Sequence, residues 1–232
     1  MNHQSGIIYN FLLAIFIAVI VLTNIIGVKL FNFFPNIFPQ GFFEGPIILT
    51  TGIITYPLTF LITDIVSEVF GKEKATKIVI LGFIASILSL IFIQIAVMLP
   101  GSNIWINHDL GFSSVEEMQN AYESVFTLPG ILIFASMSAY LVAQIIDVRI
   151  FHIIKERTKG KYLWLRNNLS TFISQLVDTI IVNLIFLYFG LQLEITIILQ
   201  IIFTTYIFKL FIALIDTPLV YLSVFYIKKK IN

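Results

Sequence analysis

Six long runs of apolar residues, each long enough to cross a lipid bilayer, dominate the hydrophobic pattern of the chain. They span residues 7–28, 47–69, 75–99, 128–150, 169–189 and 195–227. A membrane-spanning helix needs about 20 mainly apolar residues, because each residue adds about 1.5 Å across a hydrocarbon core about 30 Å thick. A membrane β-strand would instead alternate apolar and polar residues over about ten positions. The pattern predicts one domain over residues 1–232, an all-α integral membrane protein built as a bundle of six transmembrane helices.

Composition supports a membrane protein and narrows the chemistry. The chain is 58% hydrophobic and 12% charged, whereas soluble domains are about 45–50% apolar and about 25% charged. The net charge of +1 gives no reason to expect a nucleic-acid partner. With no cysteine and three scattered histidines, the sequence predicts neither a metal site nor a cofactor. The first apolar run is too long for a signal-peptide core, so we expect it to be a retained span.

Basic residues are distributed unevenly among the connecting segments. Of the 14 Lys and Arg residues, 12 lie in, or at the edges of, the segments between spans two and three, between spans four and five, and after span six. The segment from residue 100 to 127 holds four acidic residues and no basic ones. Loops on the cytoplasmic side of a membrane carry the excess of Lys and Arg. The sequence therefore predicts that both termini are cytoplasmic.

Two connections have patterns of their own. Residues 31–45 mix six phenylalanines with Pro35, Pro39 and Gly41, which suits an interfacial hairpin or re-entrant turn, or an aromatic belt without a substrate role. Ser113 followed by Glu116 has the spacing of a capping box and predicts a short amphipathic helix over the outer face.

Ionisable side chains interrupt these apolar runs at helical spacing. Asp64 and Glu68 are four residues apart, and Gln144 and Asp147 are three apart, so each pair shares one helix face. Such groups cost several kcal/mol inside a membrane, so they usually face the bundle interior and mark a site or an ion pathway. Glu68 stands near the end of its run and belongs either to this site or to the boundary, where it would cap or pair.

The last two spans carry a second group of polar residues. Ser174, Gln175 and Asp178 form a stripe along span five, and span six holds Lys209 and Asp216. Seven helical residues separate these two by about 10 Å. We therefore expect Lys209 to reach a carboxylate on a neighbouring helix, or to donate to a substrate.

Intramembrane acids outnumber intramembrane bases. Aspartates 64, 147, 178 and 216 are opposed by Lys209 alone. The interior must therefore hold protonated acids, admit water or accept a substrate rich in hydrogen-bond donors. The alternative is that these residues only join helices to one another, with no ligand.

Several short motifs fall in order along the chain and carry a family resemblance. They are Thr63-Asp64 with Phe70-Gly71, Ala139-Tyr140 with Gln144-Ile-Ile-Asp147-Val, Arg166-Asn167-Asn168 with Ser170-Thr171 and Gln175-x-x-Asp178-Thr179, and Phe208-Lys209. With them the sequence resembles, over nearly its whole length, the queuosine precursor transporter family, also called the vitamin uptake transporter-like family. The resemblance implies a six-helix protein that takes up 7-deazaguanine bases across the bacterial cytoplasmic (inner) membrane. Such bases include preQ0, preQ1 and queuine.

This cargo suits the polar residues. Adjacent N–H and amino donors of a deazaguanine match one carboxylate, its carbonyl matches an amide or lysine, and its flat ring stacks on aromatic side chains such as Tyr140 and Tyr206. The predicted substrate-binding residues are Asn24, Asp64, Glu68, Tyr140, Gln144, Asp147, Ser174, Gln175, Asp178, Tyr206, Lys209 and Asp216.

Two other classes of protein are alternatives to a carrier that works alone. Paired aspartates also occur in intramembrane enzymes, but the Gly-x-Gly-Asp, Gly-x-Ser-x-Gly and His-Glu-x-x-His motifs are absent from the sequence, so no enzyme is predicted. The second class is the substrate-binding subunit of an energy-coupling-factor vitamin transporter, which docks on a separate ATPase module. The sequence has no phosphate-binding loop of its own. The expected partners are a small-molecule base and membrane lipids, with a homo-oligomer or an ATPase module as open alternatives.

Overall fold

Helices make up most of the protein in a computed structural model, which describes residues 3–27, 29–32, 48–126, 130–190 and 192–231. The helices are α1 (His3–Ile26), α2 (Tyr56–Phe70), α3 (Lys72–Met98), α4 (Val115–Phe126), α5 (Gly130–Arg157), α6 (Leu163–Asn183) and α7 (Ile195–Ile231). A 3₁₀ turn at Thr51–Ile54 leads into α2, and a π-helical segment at Leu184–Gly190 continues α6. Strands β1 (Leu30–Asn32) and β2 (Ile48–Thr50) pair antiparallel.

Six helical segments in the described residues are long and apolar enough to cross a membrane, which confirms the predicted number of spans. They are His3–Ile26, Thr51–Phe70, Lys72–Met98, Phe134–Arg157, Leu163–Phe189 and Ile195–Lys230. Large apolar side chains such as Phe11, Phe92 and Phe211 are exposed on them, while Gln144 and Asp147 are wholly buried. Apolar residues outside and polar residues inside suit a bundle whose solvent is lipid.

Close contact between α1 and α3 depends on one glycine. A Cβ at Gly82 would lie 2.5 Å from Phe16 Cε1 and 3.1 Å from the Tyr140 hydroxyl oxygen. Phe16 and Tyr140 belong to the buried apolar core that α1, α2, α3 and α5 share. The missing side chain at residue 82 therefore lets the two helices approach closely.

A single residue, Gly71, joins α2 to α3. Its φ of +86° lies in a region that glycine enters without steric cost. The tight turn holds α2 and α3 side by side as a hairpin. We call the end of the bundle that contains this turn the Gly71 end.

The short amphipathic helix after span three forms at α4, but its cap is shifted by one residue from the prediction. Ser114 Oγ accepts from the Glu117 amide at 3.1 Å, and a Glu117 carboxylate oxygen accepts from the amide and hydroxyl of Ser113. These bonds hold the pKa of Glu117 below its ordinary value. The helix therefore begins at Val115, and Glu116 is not the capping acid.

The aromatic segment predicted to form a hairpin or re-entrant turn lies mostly outside the described residues, which omit 33–47. Its two flanks are held together by β1 and β2. The Thr51 hydroxyl, next to β2, also donates to the carbonyl oxygen of Ile26 at the end of α1.

Candidate functional site

A cleft opens between α2, α6 and α7 near the middle of the bundle. Polar and aromatic side chains from all three helices line it: Tyr56 and Phe60 of α2, Thr171 and Gln175 of α6, and Lys209 and Asp216 of α7, together with Ile53, Pro57, Ile212 and Ala213. A pocket of this kind, mainly apolar with a few convergent polar groups, is typical of small-molecule binding sites.

An ion pair crosses one side of this cleft. Lys209 Nζ lies 2.5 Å from Asp178 Oδ2, so the neighbouring-helix carboxylate expected for Lys209 is Asp178. The ammonium group also lies 5.0 Å from the centroid of the Tyr56 ring, within range of a cation–π interaction. The Tyr56 hydroxyl lies near Asp178 and Gln175 but makes no hydrogen bond with them. Lysine, carboxylate, amide and phenol thus meet at one place.

Two buried carboxyl groups lie beside the cleft. The carboxyl groups of Asp64 on α2 and Asp147 on α5 are within hydrogen-bonding reach of each other, and both are almost completely buried. Ser174 donates to Asp147 Oδ1 at 3.0 Å. Thr171, which lines the cleft, is within reach of the same carboxyl group. The pair and the cleft therefore adjoin at Thr171.

Among the described residues, several buried oxygen atoms of α2, α5 and α6 have no hydrogen-bond partner. Five buried amide or carboxyl oxygens make no hydrogen bond within the described residues: Asp64 Oδ1, Gln144 Oε1, Asp147 Oδ2, Asn167 Oδ1 and Gln175 Oε1. Buried acceptors are normally paired, since an orphaned one costs about 1–3 kcal/mol. The region is therefore suited to receive hydrogen-bond donors.

Glu68 belongs to an ion cluster at the Gly71 end, which fits the second of its two predicted roles. Its carboxylate lies 2.9 Å from Lys155, 2.7 Å from Arg166 and 2.7 Å from Lys228. The buried Arg166 also donates to the carbonyl oxygens of Gly160 and Lys161. One acid thus ties α2 to α5, α6 and α7.

Several predicted substrate-binding residues lie away from the cleft. Asn24 lines a different cleft, between α1, α3 and α4, and its amide approaches the sulfur of Met137 at 3.8 Å. The Tyr140 hydroxyl donates to the Val79 carbonyl in the apolar core. The Tyr206 hydroxyl donates to the carbonyl oxygen of Phe172. These three side chains are engaged elsewhere.

Gln144 and Ser174 lie near the acid pair rather than on the lining of the cleft. Gln144 donates to the Thr59 hydroxyl at 3.4 Å, and Ser174 holds Asp147. Of the predicted set, Gln175, Lys209 and Asp216 line the cleft and Asp178 supports it.

Tyr56 and Phe60 were missing from the predicted site, although the sequence contained a signal for them. They precede Asp64 by eight and four residues, so all three lie along one face of α2. Aromatic residues are so frequent in this chain that the spacing alone did not single them out.

Comparison with known proteins identifies the family. A family model described as "Putative vitamin uptake transporter" matches residues 50–223. The chain belongs to this vitamin uptake transporter family. It is 31% identical over 175 residues to a "Probable queuosine precursor transporter" of Bacillus subtilis, covering 74% of this chain and 70% of that protein. No solved structure matches.

A second relative of the same description comes from Haemophilus influenzae. It is 30% identical over 168 residues, which cover 72% of this chain and 64% of that protein. Family membership and the six apolar helices make this chain a transporter, a multi-pass protein of the bacterial inner membrane.

Replacing Glu68 by Gln should destabilise the protein. The change leaves the buried Arg166 without a negative partner, and breaking a buried ion pair in this way costs about 3 kcal/mol or more. We expect a lower melting temperature for the purified protein in detergent and less protein in the membrane. The matched control is Glu73→Gln, at an exposed position near the start of α3. Equal melting temperatures for the two variants would contradict the structural role of Glu68.

Lys209→Met should also lower the melting temperature, because it leaves Asp178 buried without its cation. Adding Asp178→Asn removes the uncompensated charge and should restore much of the lost stability. The double-mutant cycle, measured by thermal unfolding, isolates this pair. A double variant no more stable than Lys209→Met would show that the pairing contributes nothing.

Proposed function

We propose that this transporter takes up 7-deazaguanine precursors of queuosine and binds the base in the cleft between α2, α6 and α7. The observation that carries the proposal is the combination of an amide, a carboxylate and an ammonium group with two aromatic rings in that cleft. Two relatives are named probable queuosine precursor transporters, which supports the same substrate class.

The chemistry of the base matches the cleft group by group. A deazaguanine presents a ring N–H and an amino group side by side, which one carboxylate accepts together, and Asp216 supplies that carboxylate. The ring carbonyl accepts a hydrogen bond, which Lys209 donates while Asp178 keeps it charged. Gln175 Oε1, which has no hydrogen-bond partner among the described residues, receives a further donor.

Aromatic side chains supply the remaining contact. The rings of Tyr56 and Phe60 lie with their centroids 5.2 Å apart on one face of α2. A flat heterocycle that enters the cleft gains stacking contact with such rings. In this proposal Asp64 and Asp147 do not contact the base.

Both termini lie in the cytoplasm in this proposal. The Gly71 end carries Lys155, Arg166 and Lys228 of the ion cluster, and the opposite end carries α4 with its acidic residues. The excess of basic residues at the Gly71 end supports a cytoplasmic placement.

Uptake of radiolabelled base by cells that lack their own carrier tests the proposal. Gln175→Leu and Asp216→Asn should each lower the apparent affinity about tenfold, because each removes an acceptor for a donor of the base at a cost of roughly 1–3 kcal/mol. Asp178→Asn should lower the affinity by a similar factor, because Lys209 loses the partner that keeps it charged. Gln94→Leu, a glutamine on α3 outside the cleft, is the control. Competition by unlabelled preQ0, preQ1, queuine and guanine identifies the preferred base. Unchanged uptake by all three variants at normal abundance would refute this site.

Cysteine labelling tests the orientation, since the native chain contains no cysteine. Asp109→Cys, exposed in the segment before α4, should react with an impermeant maleimide in intact cells. Lys161→Cys, exposed at the opposite end between α5 and α6, should react only after lysis. The reverse pattern would invert the topology.

A further inference from the structure

We propose that Asp64 and Asp147 form a shared proton-binding site through which this transporter couples substrate uptake to the proton gradient. This inference concerns the energy source of transport. It rests on the proposed function only for the identity of the substrate whose uptake the proton drives. Three features of the acid pair carry it: its burial, the absence of a contacting cation from the described residues, and its position next to the cleft.

Burial makes the ionised forms of these two acids costly. Asp64 is 2% exposed and Asp147 is fully buried. Asp64 Oδ1 and Asp147 Oδ2 each lack a hydrogen-bond partner among the described residues. Two ionised carboxylates within hydrogen-bonding reach would repel each other and leave acceptor facing acceptor. One proton held between them removes the repulsion and supplies the missing donor.

The other strongly buried acids are neutralised by ion pairs with cations. Within the part of the chain that the structure describes, the ion pairs join Glu68 to three cations and Asp178 to Lys209, and none reaches Asp64 or Asp147. A proton is the simplest counter-charge left for the pair. Acid chains of this kind serve as proton relays in membrane pumps and transporters.

Helices α6, α7 and α2 place charged or hydroxyl groups near the acid pair. On α6, Arg166 attracts Asp64 from a distance, while its own NH groups bond Glu68 and two backbone carbonyls. Also on α6, the hydroxyls of Ser170, Thr171 and Ser174 lie within reach of Asp147. On α7, Asp216 acts on Asp64 as a further negative charge. Glu68 lies one turn along α2 and is already neutralised.

Adjacency to the cleft provides the coupling. Thr171 and Asp216 both line the cleft, and each also acts on the acid pair. Donors of a bound base would neutralise Asp216 in part, as a proton neutralises the acid pair. The closed bundle excludes water, so both must be neutralised before the site changes the side to which it opens. The proton enters with the base from outside, stays on the pair during the transition and leaves to the cytoplasm.

Proteoliposomes separate coupling from binding. For the wild type, an imposed pH gradient, alkaline inside, should drive accumulation of radiolabelled deazaguanine base, and a protonophore should abolish it. Asp64→Asn and Asp147→Asn should lose this accumulation but keep counterflow, the exchange of labelled for unlabelled base, which needs no net proton movement. Asp178→Asn should weaken both, and Asp109→Asn, in an exposed position, should weaken neither.

Gradient-driven accumulation by both asparagine variants would overturn the inference, as would wild-type accumulation that follows a sodium gradient instead. A wild type without counterflow of any deazaguanine base would overturn the proposed function.

The proton site is then tested on its own by infrared spectroscopy of the purified protein. The C=O stretch of a protonated carboxyl group should be present in the wild type and should shift in either asparagine variant, because the acid that remains has lost its carboxyl neighbour. Absence of this stretch from the wild type would refute the shared proton.

Discussion

Neutralising buried carboxyl groups is the constraint on which this bundle depends. An isolated charge in a hydrocarbon layer is too costly to persist, so each intramembrane acid needs a cation, a proton or water. The structure uses distinct solutions: Glu68 is surrounded by three cations, Asp178 is paired with Lys209, and Asp64 lies against Asp147. Each solution draws its members from different helices, so satisfying the acids also fixes how the helices pack.

The acids differ in how easily their partners can change. Glu68 stays neutralised even if one cation leaves, because Lys155, Arg166 and Lys228 come from three different helices. Lys209 can exchange Asp178 for a ligand by moving one flexible side chain inside the cleft. A proton shared by Asp64 and Asp147, as proposed above, can leave without removing any side chain from the pair. A transporter needs this range, from a firm closure to a labile site, to bind and release a cargo.

How much of this was predictable varies with the physical basis of each inference. The six spans follow from bilayer thickness, which acts on each helix by itself, so the sequence predicts them well. The need of Lys209 for a carboxylate on another helix also followed from spacing. Which helices lie side by side did not, because a spacing of three or four residues defines a face without naming its neighbour. Asn24 was therefore assigned to the site for its polarity and Tyr206 as an aromatic ring for stacking, although their side chains contact Met137 and Phe172 instead.

The placement of Asp216 shows why the cleft and the acid pair act as one unit. Asp216 lies two residues before Pro218, which has no amide hydrogen and leaves the carbonyl oxygen of Leu214 without its usual helical bond. Helix α7 therefore lacks one backbone hydrogen bond beside the carboxylate that lines the cleft and acts on Asp64. A change of charge at Asp216 acts next to this missing bond, in a helix whose far end, at Lys228, contacts Glu68. In the proposed mechanism, the ligand, the proton and the ion cluster at the Gly71 end thus meet on one helix.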